Sequence, residues 1–246
     1  MHLQRYAGIG RANSVDNYNF RVNYIFVTDG RRDRKLAQTR LALLTALRER
    51  LAERPLEEIN VRELAEAADV SEATFYNHFP TKTDLAVYFV QLWSVDAGWH
   101  AAAADRHGPR AAITAIFDAT AADVARAPRV MGEVIAVQAR LSGKATPPPL
   151  TALEKRLAFP DRPGVDAIEA IGLDGLLPPR IAAARACGEL PAGGDDSAAF
   201  LALTSVFFGV PLLLARRAPA AIAAAYRAQL AIVWAGLTAT AGKDPS

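Results

Sequence analysis

A chain of 246 residues, 51% of them hydrophobic, has material for one large domain or two smaller ones with a sizeable core. Its formal charge of +2 is too small to name a nucleic-acid partner by itself, and its one cysteine, Cys187, excludes an internal disulfide framework. No signal-peptide pattern opens the chain. No uninterrupted apolar run reaches the length of a membrane span, because the longest, Phe200 to Ala215, is broken by Thr204, Ser205, Gly209 and Pro211. The expectation is a cytoplasmic protein with no membrane partner.

Charge is unevenly placed. Residues 1–40 hold eight basic side chains against three acidic ones, a surplus of five, so the remaining chain is net −3. A basic end on a mildly acidic body suits a protein that sets one end on DNA. Within residues 1–30, Tyr18, Phe20, Val22, Tyr24 and Phe26 alternate with the period of a strand. Nothing else in the chain reads as a strand to pair with it. Two readings stand open: a poorly ordered basic arm, or sequence ahead of the true translation start.

Residues 31–54 form the first helix, with Leu36, Leu43, Leu44, Leu47 and Leu51 on its apolar stripe and Asp33 in its first turn. Pro55 ends it. Val61, Leu64, Ala65 and Ala68 then mark a short helix with a capping box at Asn60 and Glu63. After Asp69, Ser71 is placed to cap another short helix running to about Phe79, where Pro80 stops it. Val70, Thr74, Phe75 and Phe79 are read as facing inward. Glu72, Ala73, Tyr76, Asn77 and His78 are read as facing out, which suits a second helix that enters a DNA groove.

The stretch Val61-Arg62-Glu63-Leu64-Ala65, Ala68, Val70-Ser71, Thr74 to Lys82 and Leu85 resembles the helix-turn-helix domain of the TetR family of bacterial transcriptional repressors. It departs from that pattern at Asp69, where the family has glycine; a slightly strained turn is expected. The resemblance implies that Tyr76 and Lys82, with Thr74, bind phosphate. It makes Asn77 and Ala73 the base-edge candidates, gives His78 either role, and leaves Arg62, Ser71 and Glu72 as secondary positions.

A fourth helix is expected from Thr81 to Trp99, capped by Thr81 with Asp84 and apolar on several sides. Further helices follow from Gly108-Pro109 to Ala127-Pro128 and from Arg129 to Leu141. A Pro-rich loop covers Ser142 to Pro149, and a short helix covers Thr151 to Phe159. Val165 to Ile171 and Pro178 to Cys187 read as one interrupted helix or two short ones. Two long apolar helices close the chain, Asp196 to Ala215 and Pro219 to Leu237. The fold class is therefore all-α: an arm over 1–30, a DNA-binding domain over 31–84 and a helical domain over 85–246.

The resemblance further implies a homodimer on a palindromic double-stranded DNA operator, its recognition helices about 34–36 Å apart. It also implies release of the operator by a small, partly hydrophobic effector bound in the C-terminal domain. Trp93, Trp99, Phe117, Met131, Gln138 and Phe207 are the candidate effector contacts, followed by Val134 and Phe159 and by the polar residues His100, His107 and Arg140. An enzyme is not expected. His2, His78, His100 and His107 make no metal-spaced pair with a cysteine, and there is no glycine-rich phosphate loop or G-x-S-x-G. No cofactor or metal is therefore expected. The alternative is a helical dimeric adaptor whose helix-turn-helix is idle.

Overall fold

Helices are the only regular structure among residues 30–140 and 148–239, which the computed structural model describes. The alternating stretch at 18–26 and most of the Pro-rich loop fall outside them. Helix α1, Arg31–Leu51, buries Leu43, Leu44, Leu47 and Leu51. It ends three residues earlier than expected and passes through a short 3-10 turn, Leu56–Glu58, into α2, Val61–Ala67. The Asn60 side chain accepts from the Arg62 amide at 3.1 Å while Glu63 accepts from the Asn60 amide, so the capping box is closed at both ends.

The turn after α2 explains how aspartate stands in for glycine. Asp69 has φ 54°, the left-handed region. Its amide donates to the Glu66 carbonyl at 3.1 Å, and the Val70 amide donates to the Ala65 carbonyl at 2.9 Å. This is a complete Schellman ending, which satisfies carbonyls the helix would otherwise leave open. Left-handed backbone costs an ordinary L-residue about 1–2 kcal/mol, somewhat less for aspartate. The extra freedom glycine has when unfolded takes back about 0.4–1 kcal/mol. Asp69→Gly should therefore stabilise the protein by about 0.5 kcal/mol, read as a small rise in thermal midpoint; a fall would mean that the carboxylate holds the turn.

Helix α3, Glu72–His78, starts at Ser71, whose Oγ accepts from the Thr74 amide at 3.1 Å. Helix α4, Lys82–Ala104, is capped by Thr81 with Asp84 and continues five residues past the expected end at Trp99. Helices α5 (Pro109–Arg126), α6 (Pro128–Arg140) and α7 (Ala152–Ala158) follow.

Helix α8, Gly172–Ala186, differs from expectation: it begins before Pro178 and runs through both Pro178 and Pro179. Two interior carbonyls lose their amide partners there. Leu173, Leu176, Leu177, Ile181 and Ala184 nevertheless fall on one buried face, and that burial carries the helix across the break. The expected helix over Val165 to Ile171 is a single 3-10 turn, Val165–Ala167.

The last two helices, α9 (Asp196–Leu214) and α10 (Ile222–Ala239), lie against each other, α9 also against α8 and α10 also against α5. They correct one sequence expectation. By length and composition, Asp196–Leu214 (mean hydropathy 2.0) and Pro219–Ala239 (1.4) are each apolar enough to cross a membrane. Thr204, Ser205, Gly209 and Pro211 interrupt the apolar run but not the helix, which continues through them as the long helix expected there does. Only 28% and 22% of these apolar windows is buried within the chain, and Leu201, Leu212, Leu213 and Ile232 stand exposed.

Two apolar cores lie along the molecule. One joins α1, α2 and α3 to Leu85, Tyr88 and Leu92 of α4 and to Val130, Val134 and Val137 of α6. The other joins the far half of α4 to α5, α8, α9 and α10, with Phe117, Phe207 and Tyr226 at its centre. The division expected at 84/85 falls within the first turn of α4, which belongs to both cores.

Candidate nucleic-acid interface

Helix α3 is held from beneath by two aromatic rings. Phe75 and Phe79 are fully buried, and Phe79 packs on Tyr88 with ring centroids 5.3 Å apart. Anchoring one face so firmly leaves the other to the solvent: Glu72, Ala73, Tyr76 and Asn77 are all exposed, with Tyr76 at 52%. Ser71 begins this face, and Arg62 stands exposed on α2 in an ion pair with Glu66 at 2.8 Å, with Glu72 near enough to feel its charge. Exposed Arg31, Arg32, Arg34 and Lys35 cluster at the start of α1.

Two candidates, His78 and Lys82, are placed differently from the sequence expectation; Thr74, read as facing inward, is not. Thr74 is half-buried and its hydroxyl shares a hydrogen bond with Ser71 Oγ at 2.9 Å, which leaves part of its capacity for a phosphate. His78 does not face freely outward. It is half-buried, and burial first, then the Arg40 charge, holds its pKa below the ordinary value, so the ring is neutral at pH 7. Lys82 Nζ donates to the carbonyls of Glu57 and Ile59, both at 2.9 Å. Two of its three protons thus tie α4 to the loop ahead of α2, and one remains for an outside acceptor.

Behind this face lies a group that the sequence reading missed. Glu154 on α7 is fully buried. Its Oε1 accepts from Arg40 of α1 at 3.1 Å and from the Tyr88 hydroxyl of α4 at 2.9 Å, while its Oε2 accepts from the Thr151 amide and hydroxyl at 2.7 Å. The Arg40 guanidinium lies over the Phe79 ring at 6.0 Å. The local sequence shows only the Thr151–Glu154 capping box; the partners lie 66 and 114 residues away.

Among the described residues, the body holds a cavity of about 480 Å³ walled by α4, α6, α8 and α9. Of the candidate effector residues, Trp93, Met131, Val134, Gln138 and Phe207 line it. Phe117 does not; it is fully buried and sits edge-on against Phe207 and Tyr226. Trp99 is turned away, its indole donating to the Pro163 carbonyl at 3.0 Å. His107 is exposed beside Arg106, and exposed Arg140 pairs with Glu57. Phe159 and a set of charged side chains wall a second cavity of about 430 Å³. Burial pushes the Asp123 carboxyl there upward, against the pull of Arg126 and Arg48, and burial also lowers the pKa of nearby His100. No three metal-ligating side chains converge among the described residues.

The α6 wall of the larger cavity also touches the end of the molecule that carries α2 and α3. Glu133 accepts from the Leu56 amide at 3.3 Å, and Arg140 pairs with Glu57. These are the residues of the loop whose carbonyls Lys82 holds.

The model for bacterial regulatory proteins of the tetR family matches residues 43–88, from the middle of α1 to Tyr88. No curated protein matches the chain. Among solved structures, one described as the molecular basis for control of antibiotic production by a bacterial hormone is 24% identical, with 81% of this chain and 97% of that one covered and a TM-score of 0.55. Thermus thermophilus FadR, a TetR-family repressor in complex with lauroyl-CoA, is 19% identical over 80% and 94%, with a TM-score of 0.57. A TetR transcriptional regulator from Rhodococcus sp. RHA1 is 18% identical over 81% and 97%, with a TM-score of 0.51. Residues 43–88 thus match the model for bacterial regulatory proteins of the tetR family, and the chain as a whole shares the helical fold of these structures.

Proposed function

We propose that the chain is a cytoplasmic, ligand-responsive repressor that binds a palindromic operator as a homodimer. The observation that carries this is the exposed face of α3, Ala73, Tyr76 and Asn77 held rigidly above buried Phe75 and Phe79, inside the segment that matches the family. Asn77 has the donor–acceptor pair that reads adenine in the major groove, Ala73 suits a thymine methyl, and Tyr76 offers a hydroxyl to phosphate. The uncovered apolar sides of α9 and α10 support pairing of two copies through these helices. The apolar cavity, of a size that encloses a small ligand, supports an effector. Its α6 wall, joined to the loop at Leu56 and Glu57, supplies a route by which a bound molecule biases the recognition helix. The FadR structure holds an acyl-CoA, which fits an apolar ligand in this body as well.

The adaptor alternative rests on Asp69 and on the untypical N-terminal arm; the arm lies outside the described residues, and the turn at Asp69 keeps both of its closing hydrogen bonds. The deciding experiment is fluorescence anisotropy on DNA from beside the protein's own gene. Asn77→Ala should lose about 1–3 kcal/mol of operator affinity and relax the choice of base at one position. Tyr76→Phe should weaken all sequences alike. Binding that ignores sequence and both substitutions would remove the repressor reading.

A further inference from the structure

Phe89 and Trp93, one turn apart on α4, each belong to the walls of two cavities. On one side is the apolar chamber of about 480 Å³ beside Met131 and Phe207. On the other is the chamber of about 430 Å³, walled by Arg48, Asp96, Asp123, Arg126 and Arg162. The two rings are therefore a partition between an apolar space and a charged one. They are not equally fixed. The Trp93 indole donates to Thr120 Oγ1 at 3.1 Å and packs at a tilt against Phe207 with ring centroids 5.3 Å apart, whereas Phe89 has no polar atom to tether it.

The polar chamber is lined by three arginines, Arg48, Arg126 and Arg162, and three aspartates, Asp96, Asp123 and Asp161, but they do not all pair. Asp96, 5% exposed, is ion-paired with Arg162, and Asp123 is ion-paired with Arg126. Arg162 rests its guanidinium over Phe159 at 4.6 Å. Arg48 has its guanidinium over the Phe89 ring at 5.6 Å, and no carboxylate among the described residues lies at ion-pair distance from it. A guanidinium held on an aromatic face with its hydrogen-bonding edge uncommitted suits an anion.

We propose that the two chambers take the two ends of one anionic amphiphile. The head binds beside Arg48 and the tail passes Phe89 into the apolar chamber. This rests on the ligand-responsive reading and names the chemical class of its effector. It also divides the labour between the two ends. The tail chamber reaches the DNA-binding end only through its α6 wall, while the head chamber is walled directly by Leu41, Leu44 and Arg48 of α1, a helix of that end. The tail therefore supplies most of the affinity, and the head adds a direct bearing on operator binding to the route through α6.

The test uses the full chain with octanoate, dodecanoate and hexadecanoate, each below its micelle-forming concentration. Dodecanol and dodecyltrimethylammonium share a tail but not the head, and acetate supplies a carboxylate alone. Binding is read by calorimetry and operator affinity by anisotropy. The best carboxylate should bind about ten- to a hundred-fold tighter than the alcohol or the cation. Arg48→Gln should erase that preference and leave dodecanol binding unchanged. Equal binding of carboxylate and alcohol, an Arg48→Gln protein that still prefers the carboxylate, or no binding by any of the three carboxylates would overturn the proposal. A carboxylate preference that depends on Arg48 but leaves operator affinity untouched would uphold the amphiphile site and sink the ligand-responsive reading instead.

Discussion

Glu154→Ala should cost the protein about 3–5 kcal/mol of folding stability, the range for stripping one partner from a buried charge pair. The carboxylate is fully buried and accepts from Arg40, Tyr88 and, twice, from Thr151. Alanine leaves the Arg40 guanidinium, with only 11% of its side chain exposed, without a counter-ion. It also orphans the Tyr88 hydroxyl and opens the first turn of α7. The pair itself is worth less than its disruption costs, because burying it was expensive and Arg40 Nε finds no acceptor. For a chain of this size the loss corresponds to a fall of roughly 6–20 °C in thermal midpoint. Urea titration should show the midpoint lowered at constant slope. A loss under about 1 kcal/mol would mean that water reaches the carboxylate. Since Arg40 also lies over Phe79, the same variant should loosen the recognition helix and weaken operator binding.

The second large effect concerns salt. A whole-chain charge of only +2 hides a cationic end: Arg31, Arg32, Arg34 and Lys35 open α1, and Lys82 retains one free proton. If each protomer of a dimer neutralises about three to five phosphates, operator affinity falls about 10³–10⁵-fold between roughly 50 and 200 mM salt. The log–log slope should lie near −5 to −9. Lys35→Ala should make the slope shallower by about two per dimer, one for each copy, without changing which sequence is preferred. A flat salt response would show that the exposed arginines of α1 do not meet the DNA backbone.

The helix-turn-helix was readable because everything that defines it is local. Asn60 with Glu63, Ser71 with Thr74 and Thr81 with Asp84 are caps closed within three residues, and Phe75 and Phe79 lie one turn apart. Readings failed where distant residues decide. Pro178 and Pro179 argue for a break, yet the neighbours of Leu176 and Ile181 hold α8 together. Lys82 looked like a free cation until the fold brought the carbonyls of Glu57 and Ile59 to it. Trp99 and Phe117 were plausible cavity residues by type alone; which way each ring points depends on Pro163, Phe207 and Tyr226. Neither Arg48 nor Asp123 carried any signal, because the polar chamber is made by helices far apart in the chain.

The shared ownership of α4 bears on how such a regulator could be rebuilt from parts. A fragment cut at 84/85 would leave behind Leu85, Tyr88 and Leu92, and with them Val130 and Val134, all of which close the apolar core beneath the recognition helix. The severed reading head would present a raw apolar face, and a foreign sensor grafted at that seam would have to reproduce the lost contacts. On the proposed function, a working chimera would have to carry α4 and α6 along with the head, so the specificity for DNA and much of one sensor wall would travel as a single inheritable block.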